Sequence, residues 1–420
     1  MLTSARPLSR LVRLAALILV PALLAASVPA FAKAVVEKGD RVIVVGDSIT
    51  EQKQYSKLIE DYLTMCVPQL DLWVFQLGWG GETAGGFVGR MDQDLFPFKP
   101  DVITTCYGMN DGQYRAYEEG IGNEYRAQMQ RILDAAREAG ATVVVGSPGA
   151  VDTKTWRGQA DVYNDNLAHL RDIARDLAKN ADMPFANVHD AMIDVMKKAK
   201  AAYGEDYHVG GGDGVHPAPN GHLVMAYAFL KAMGFDGNLG TITIDTAGKA
   251  TATGGHKVLS AKGGKVELES TRYPFCFFGD GASPDSTRSV LPFFAFNEDL
   301  NRLTLIVKGL KGGKARVAWG PGAPGSKSFT AEQLAQGINL AAEFLDNPFC
   351  AAFQKVDGEI AAKQNYETWL IKSNRMAPAG TPEAKNARWP TTALKEYDAL
   401  VKAVHEAVVP VKHTLTVTTE

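Results

Sequence analysis

The sequence predicts an α/β fold with a doubly wound parallel sheet, and three observations carry that expectation. From Arg41 to about Phe235, short apolar runs alternate with amphipathic stretches of helical length. The first run, Val42–Val45, is four β-branched residues in succession, which suits a strand buried on both faces. It ends at Gly46-Asp47-Ser48, so a serine sits on the turn between that strand and the next helix. Ligands of open α/β sheets bind at this carboxyl edge, which makes Ser48 a candidate nucleophile. Alone, a G-D-S triplet reads rather as a turn plus a helix N-cap.

The remaining elements follow in order. Strands are expected at Leu72–Leu77, Val102–Tyr107, Thr142–Gly146 and Phe185–Val188. Helices are expected at Glu51–Met65, near Phe87–Leu95, and at Asn123–Ala139, Asp161–Lys179, Ala191–Ala202 and Pro219–Met233. The register changes at Gly234. Strand-like runs at Thr241–Asp245, Lys265–Glu269, Leu303–Val307 and Ala315–Trp319 then suggest an antiparallel β module. Thr330 and Gln333 spell a capping box at the start of a helix Ala331–Phe344. Helices Phe349–Lys372 and Thr391–Val408 follow, separated by a loop Ala377–Pro390, and His413–Thr418 returns as a strand. The organisation expected is residues 1–32 as a leader, 33–235 as a catalytic domain and 236–420 as a β-rich accessory region with a helical insertion.

Arg6, Arg10 and Arg13 precede the apolar stretch Leu14–Val28, and Ala30-Phe31-Ala32 offers small residues for cleavage before Lys33. An exported chain, periplasmic or extracellular, is expected, without stable membrane insertion once the leader is removed. Loss of three Arg and no acidic residue takes the formal charge from -3 to -6. No basic stripe is visible, so a nucleic-acid partner is not expected. The four cysteines, Cys66, Cys106, Cys276 and Cys350, are too sparse for a disulfide scaffold. Cys276 with Cys350 is the favoured pairing, since both lie in the second half. No zinc-type spacing occurs, and neither a metal nor another cofactor is expected.

Three further stretches bear on Ser48. Gln76–Thr83 (QLGWGGET) is a glycine-rich turn after the second strand, where a backbone N–H can approach a ligand closely. Tyr107–Asp111 (YGMND) places Asn110 at the end of the third. Asp213–Pro217 (DGVHP) precedes the last helix of this half, with a His to act as base and an Asp to orient it.

Four blocks in this order, GDSIT, GGET, YGMND and DGVHP, resemble the SGNH (GDSL-type) hydrolase superfamily over about Arg41–Phe235. The resemblance implies a flavodoxin-like three-layer α/β/α sandwich. It implies Ser48 as nucleophile, His216 as general base and Asp213 as its orienting group. The implied oxyanion donors are the N–H of Ser48, the N–H of Gly81 and the side chain of Asn110, with Gly78 as the competing glycine. Met109 and Gln76 stand where Thr and Asn are frequent in the family, and neither removes a catalytic atom. His208 is a second, less favoured histidine near the site.

A serine ester hydrolase working through an acyl-enzyme is therefore expected, with a carbohydrate O-acetylester as the leading substrate class. Small-molecule or polysaccharide esters are the partners expected. Trp156 and Arg157, in the loop after the fourth strand, are candidates to meet a sugar or a carboxylate. The alternatives are an acyltransferase on the same scaffold, a hydrolase of short-chain lipid esters, and a glycan-binding protein with an idle site.

Overall fold

The computed structural model describes residues 34–320, 325–374 and 391–420. The expected leader, its cleavage point before Lys33 and the loop Ala377–Pro390 lie outside them. Five parallel strands form the central sheet: β1 (Arg41–Gly46), β2 (Trp73–Gln76), β3 (Val102–Cys106), β4 (Thr142–Gly146) and β5 (Phe185–Ala186). Their order, β2-β1-β3-β4-β5, is the flavodoxin-like one.

The β-branched run of β1 feeds two cores by simple alternation. Val42 and Val44 join Ile59, Met192 and Leu223, from helices Tyr55–Asp61, Val188–Tyr203 and Pro219–Ala232. Ile43 and Val45 join Met129 and Leu170, from helices Glu119–Glu138 and Ala160–Ala181. The order reverses between β1 and β3, and the loops following those two strands carry Ser48 and Asn110. That switch point is where open sheets leave a crevice.

One expected helix divides. Glu51–Met65 begins instead at Ser48, breaks where Lys53 turns left-handed (φ 56°), and resumes at Tyr55. The Lys53 N–H closes on Thr50 O, which ends the first turn.

The accessory half contains two sheets. β6 (Asn238–Asp245), β7 (Lys249–Ala252), β10 (Arg302–Lys308) and β13 (Ile338–Asn339) form one, in the order β13-β10-β6-β7. β8 (His256–Lys262), β9 (Lys265–Ser270), β11 (Lys314–Trp319), β12 (Lys327–Thr330) and β14 (Val411–Thr419) form the other, in the order β12-β11-β14-β9-β8. The second is antiparallel throughout, as expected, but β10 pairs with β6 in parallel. A long excursion through β7–β9 and the helix Phe296–Leu300 brings the chain back in its original direction. The Thr330–Gln333 capping box forms, but its helix stops at Gln336. Gly337 (φ 108°) redirects the chain so that β13 can pair with β10 before a separate helix Leu340–Glu343.

The four thiols are free. Cys276 and Cys350 are nonetheless neighbours, both meeting Asn347, at 3.8 and 3.5 Å. The pairing expected from sequence is thus one of proximity without a bond.

A buried relay joins the two accessory sheets. The Trp319 indole N–H donates to His413 Nδ1 (3.1 Å), so His413 carries its proton on Nε2 and donates to Ser270 Oγ (2.8 Å). Ser270 then donates to His256 Nδ1 (2.7 Å), and His256 Nε2–H to Leu239 O (3.1 Å). Each imidazole is used once as donor and once as acceptor, which requires it neutral. Burial pushes His256 down to about 4 and His413 down to about 3; behind β1, burial and the charge of His216 take His222 down to about 3. A depressed folded value means a stabilising contribution complete above the unfolded value of about 6.5, lost as pH falls from there towards 3–4. An NMR titration is expected to show these three imidazoles neutral down to pH 5. Midpoints near 6.5 for His256 and His413, assigned through His256→Asn and His413→Asn spectra, would contradict the relay.

Candidate active site

β1 ends at Gly46, where a Cβ would lie 2.1 Å from Thr50 Oγ1, so the following turn packs this close only against a glycine. Asp47 caps the short helix Ser48–Glu51, its Oδ1 accepting from Ile49 N (2.9 Å). Burial pushes the Asp47 carboxyl up to about 7; the Ile49 hydrogen bond opposes this, and the charges of Asp111 and Glu82 add to it. Ser48 Oγ is thereby held facing His216 Nε2 at 2.8 Å. His216 Nδ1 lies 2.7 Å from Asp213 Oδ2. The other Asp213 oxygen accepts the backbone N–H groups of Val215 and His216, each at 2.9 Å. Burial pushes the Asp213 carboxyl up, but those N–H groups together with the His216 side chain outweigh it and hold the carboxyl below the usual carboxylate value. The structure thus joins Ser48, His216 and Asp213 in one hydrogen-bonded line.

The turn carrying Asp213 and His216 is built as one piece with the loop carrying Trp156. Asp152 is the knot: its carboxylate accepts from Lys154 N (2.9 Å), Thr155 N (3.2 Å), Val209 N (3.2 Å) and Lys200 Nζ (3.1 Å). Its own N–H donates to Gly214 O (2.8 Å), and Thr155 Oγ1 donates to Gly211 O (2.6 Å). Gly214 has φ 81°, and a Cβ on it would lie 2.2 Å from Trp156 N. The two loops close that tightly only around a glycine.

The oxyanion candidates separate on their hydrogen bonds. Gly78 N–H donates to Gln76 Oε1 (3.0 Å), and a Cβ on Gly78 would strike Glu51 N at 2.2 Å, so this glycine serves packing. Gly81 is exposed at φ 73°, and its N–H, like that of Ser48, has no acceptor among the described residues. Asn110 Nδ2 donates to Glu82 O at 3.0 Å and stands 3.5 Å from Asp47 Oδ2. Beneath this turn a buried Arg90 grips Glu82 through Nε–Oε1 (2.6 Å) and Nη2–Oε2 (2.7 Å) and reaches Leu77 O (2.6 Å). Tyr107 OH adds a bond to Glu82 Oε2 (2.8 Å). Asp111 ties the third loop to the second, accepting from Ala84 N and Gly108 N, each at 2.9 Å. Burial pushes its carboxyl up to about 6.

Trp156 and Arg157 line an open cavity of about 450 Å³ that His216 and Asp213 also line. His208 does not reach Ser48; its carbonyl anchors Asn220 Nδ2 (2.9 Å). Sequence reasoning missed three contributors. Asp152 has no motif around it. Tyr114, also on the cavity wall, follows Gln113 in two successive left-handed conformations (φ 57° and 56°), a cost of about 1–2 kcal/mol per residue that no local pattern announces. Lys372 belongs to the accessory helix Cys350–Asn374, and pairs with Glu51 only three residues after the serine.

Among the described residues no group of three or more His, Cys, Asp or Glu is placed to hold a metal ion. A crevice at the switch point, a serine–histidine–aspartate line, and Ser48 and Gly81 N–H groups without acceptors among the described residues define a serine hydrolase of acyl-transfer type. The comparisons agree. Residues 44–224 match the GDSL-like lipase/acylhydrolase family. The chain is 22% identical over 223 residues to an acetylxylan esterase of Geobacillus stearothermophilus, across 47% of this chain and 95% of that one. Among solved structures, a gut microbial diltiazem-metabolizing enzyme, BT4096, superposes with TM-score 0.72 at 22% identity, covering 91% of this chain and 98% of that one. That likeness extends the shared fold through the accessory half. Residues 44–224, rather than the whole chain, thus carry the likeness to GDSL-type esterases of the SGNH hydrolase superfamily.

Proposed function

We propose that this protein is an exported carbohydrate O-acetylesterase in which Ser48 is the nucleophile. The observation that carries the reading is the Ser48–His216–Asp213 line, with both contacts at hydrogen-bond distance. His216 Nε2 takes the Ser48 proton as Oγ attacks the ester carbonyl, and Asp213 stabilises the imidazolium. Charge developing on the carbonyl oxygen meets the Ser48 and Gly81 N–H groups and the Asn110 amide. Asn110 exchanges its long 3.5 Å contact to Asp47 for a charged oxygen. His216 returns the proton to the leaving sugar hydroxyl, and water, activated by the same base, releases acetate.

Two features favour a small acyl group on a sugar. The hollow lined by Ser48, Gln52 and His216 is open and shallow, which suits acetyl better than a long chain. Trp156 and Tyr114 offer aromatic faces beside it, and Arg157 forms no ion pair among the described residues. The named acetylxylan esterase relative points the same way. Export rests on the Arg6/Arg10/Arg13 leader pattern.

The test is hydrolysis of 4-nitrophenyl acetate, butyrate and octanoate, together with acetate release from acetylated xylo-oligosaccharide. Acetate preferred over octanoate, with acetate freed from the oligosaccharide, is the expected result. Octanoate preference would move the substrate class to lipids. Acyl transfer to an added sugar without release into water would make the enzyme a transferase.

A further inference from the structure

One exposed aromatic, Tyr114, stands beside the site in an energetically unfavourable backbone conformation. From Gly108 the chain makes a helix-like turn, with Gly112 N–H on Gly108 O (2.9 Å) and Gln113 N–H on Asn110 O (3.1 Å). Gln113 and Tyr114 then both take the left-handed conformation, which L-residues avoid and which reverses the chain. The result is that Tyr114 folds back over Asn110. Its ring stacks on Tyr163 (centroids 5.1 Å apart, 28° between planes), and Tyr163 OH is bonded to Met109 O. Tyr114 stays 42% exposed on the wall of the cavity, yet its hydroxyl donates to Asn110 Oδ1 at 3.0 Å.

The two ends of the Asn110 amide are therefore held by different parts of the chain. Oδ1 takes the Tyr114 hydroxyl, and Nδ2 gives one proton to Glu82 O. An unheld primary amide can rotate by half a turn at little cost, since its two ends are nearly the same size. In the rotated state Oδ1 would face the developing oxyanion and repel it.

We propose that Tyr114 is a positioning residue for the oxyanion hole: its hydroxyl locks Asn110 with the N–H end towards the reacting carbonyl. The backbone strain at Gln113–Tyr114 is what places that hydroxyl. Burial, with the charges of Asp47 and Asp213, pushes the Tyr114 phenol up to about 12, so it remains a donor over any working pH. The proposal rests on the esterase reading, and the test separates the two.

The experiment is a double-mutant cycle on 4-nitrophenyl acetate with Tyr114→Phe, Asn110→Ala and the pair, each variant checked by thermal melting. Tyr114→Phe keeps the ring and its stack and removes only the hydroxyl. It is expected to lower kcat about 3–10-fold, the worth of one hydrogen bond, with KM nearly unchanged. Asn110→Ala is expected to cost about 10²–10³ in kcat. Because Tyr114 acts through Asn110, adding Tyr114→Phe to Asn110→Ala should cost nothing more. The same loss in both backgrounds, a loss falling on KM, or no loss at all would overturn the positioning role. Wild-type protein with no Ser48-dependent turnover would overturn the esterase reading instead.

Discussion

Replacing Ser48 with alanine is expected to lower kcat on 4-nitrophenyl acetate by about 10⁴-fold or more, with the melting temperature unchanged to within a few degrees. The hydroxyl is half-buried and bonded to His216, and its removal leaves an imidazole that water can still solvate. The fold does not depend on it: the cap on the following helix is Asp47, and the sheet ends before the turn. His216→Ala should fall to a similar floor, because nucleophile and base act as a unit. The residual rate would come from the Ser48, Gly81 and Asn110 donors alone. Steady-state kinetics beside melting curves check this. A variant that keeps a tenth of the wild-type rate, or one that unfolds, would contradict it.

The second large effect concerns stability. β2 is the edge strand of the central sheet, and an exposed edge is a template for unwanted pairing. Here the accessory helix Cys350–Asn374 covers it with charged side chains. Lys363 Nζ donates to Val74 O (2.8 Å), and Gln76 N–H donates to Glu367 Oε2 (3.0 Å). Lys363 also pairs with Glu60 (3.0 Å) and with Glu367, and Tyr397 OH bonds Glu367 Oε1 (3.2 Å). Gln364 closes the network by donating to Glu60 Oε2 (2.8 Å) and accepting from Ser56 Oγ (2.8 Å). All three charged groups are buried.

Lys363→Met would leave two carboxyls buried without their cation, a loss of about 3–5 kcal/mol. At about 2–4 °C per kcal/mol, that is a fall in Tm on the order of 10 °C. The sign with pH is determined. Burial already pushes the Glu60 and Glu367 carboxyls up, and losing the ammonium pushes them further. A raised folded value means stability present at low pH and lost as pH rises through it. The penalty of Lys363→Met should therefore be larger at pH 8 than at pH 5. Scanning calorimetry at both values checks it, and a penalty independent of pH would contradict the network.

Which parts were legible in sequence follows from how local their causes are. Val42–Val45 announced β1 because alternating burial on two faces leaves no polar position. Ser48, Asn110 and the Asp213–His216 pair were legible because each sits within a few residues of an element end and their four blocks, in order, resemble a known superfamily; each block alone reads as a turn or loop. The Gly81-Glu82-Thr83 triplet favoured Gly81 over Gly78 through the resemblance; in the structure the Gly78 N–H is donated to Gln76, while that of Gly81 has no acceptor among the described residues. Lys363, Glu367 and Gln364 read as the polar face of an ordinary helix, and they are buried because a strand some 290 residues earlier lacks partners. The parallel pairing of β6 and β10 has the same origin, since no local signal records where an excursion of more than fifty residues returns. The left-handed pair Gln113–Tyr114 is strain maintained for the site, and propensity argues against it.

The most direct measurement on the central claim is covalent capture at Ser48. A fluorophosphonate ester, which phosphonylates activated serines, is incubated with the wild-type protein and with Ser48→Ala, and the adduct is mapped by peptide mass spectrometry. One adduct per chain on the peptide holding Ser48, absent from the variant and accompanied by loss of esterase activity, is the expected result. Ester hydrolysis that persists after full exposure to the reagent, or an adduct on another residue with activity lost, would contradict Ser48 as the nucleophile.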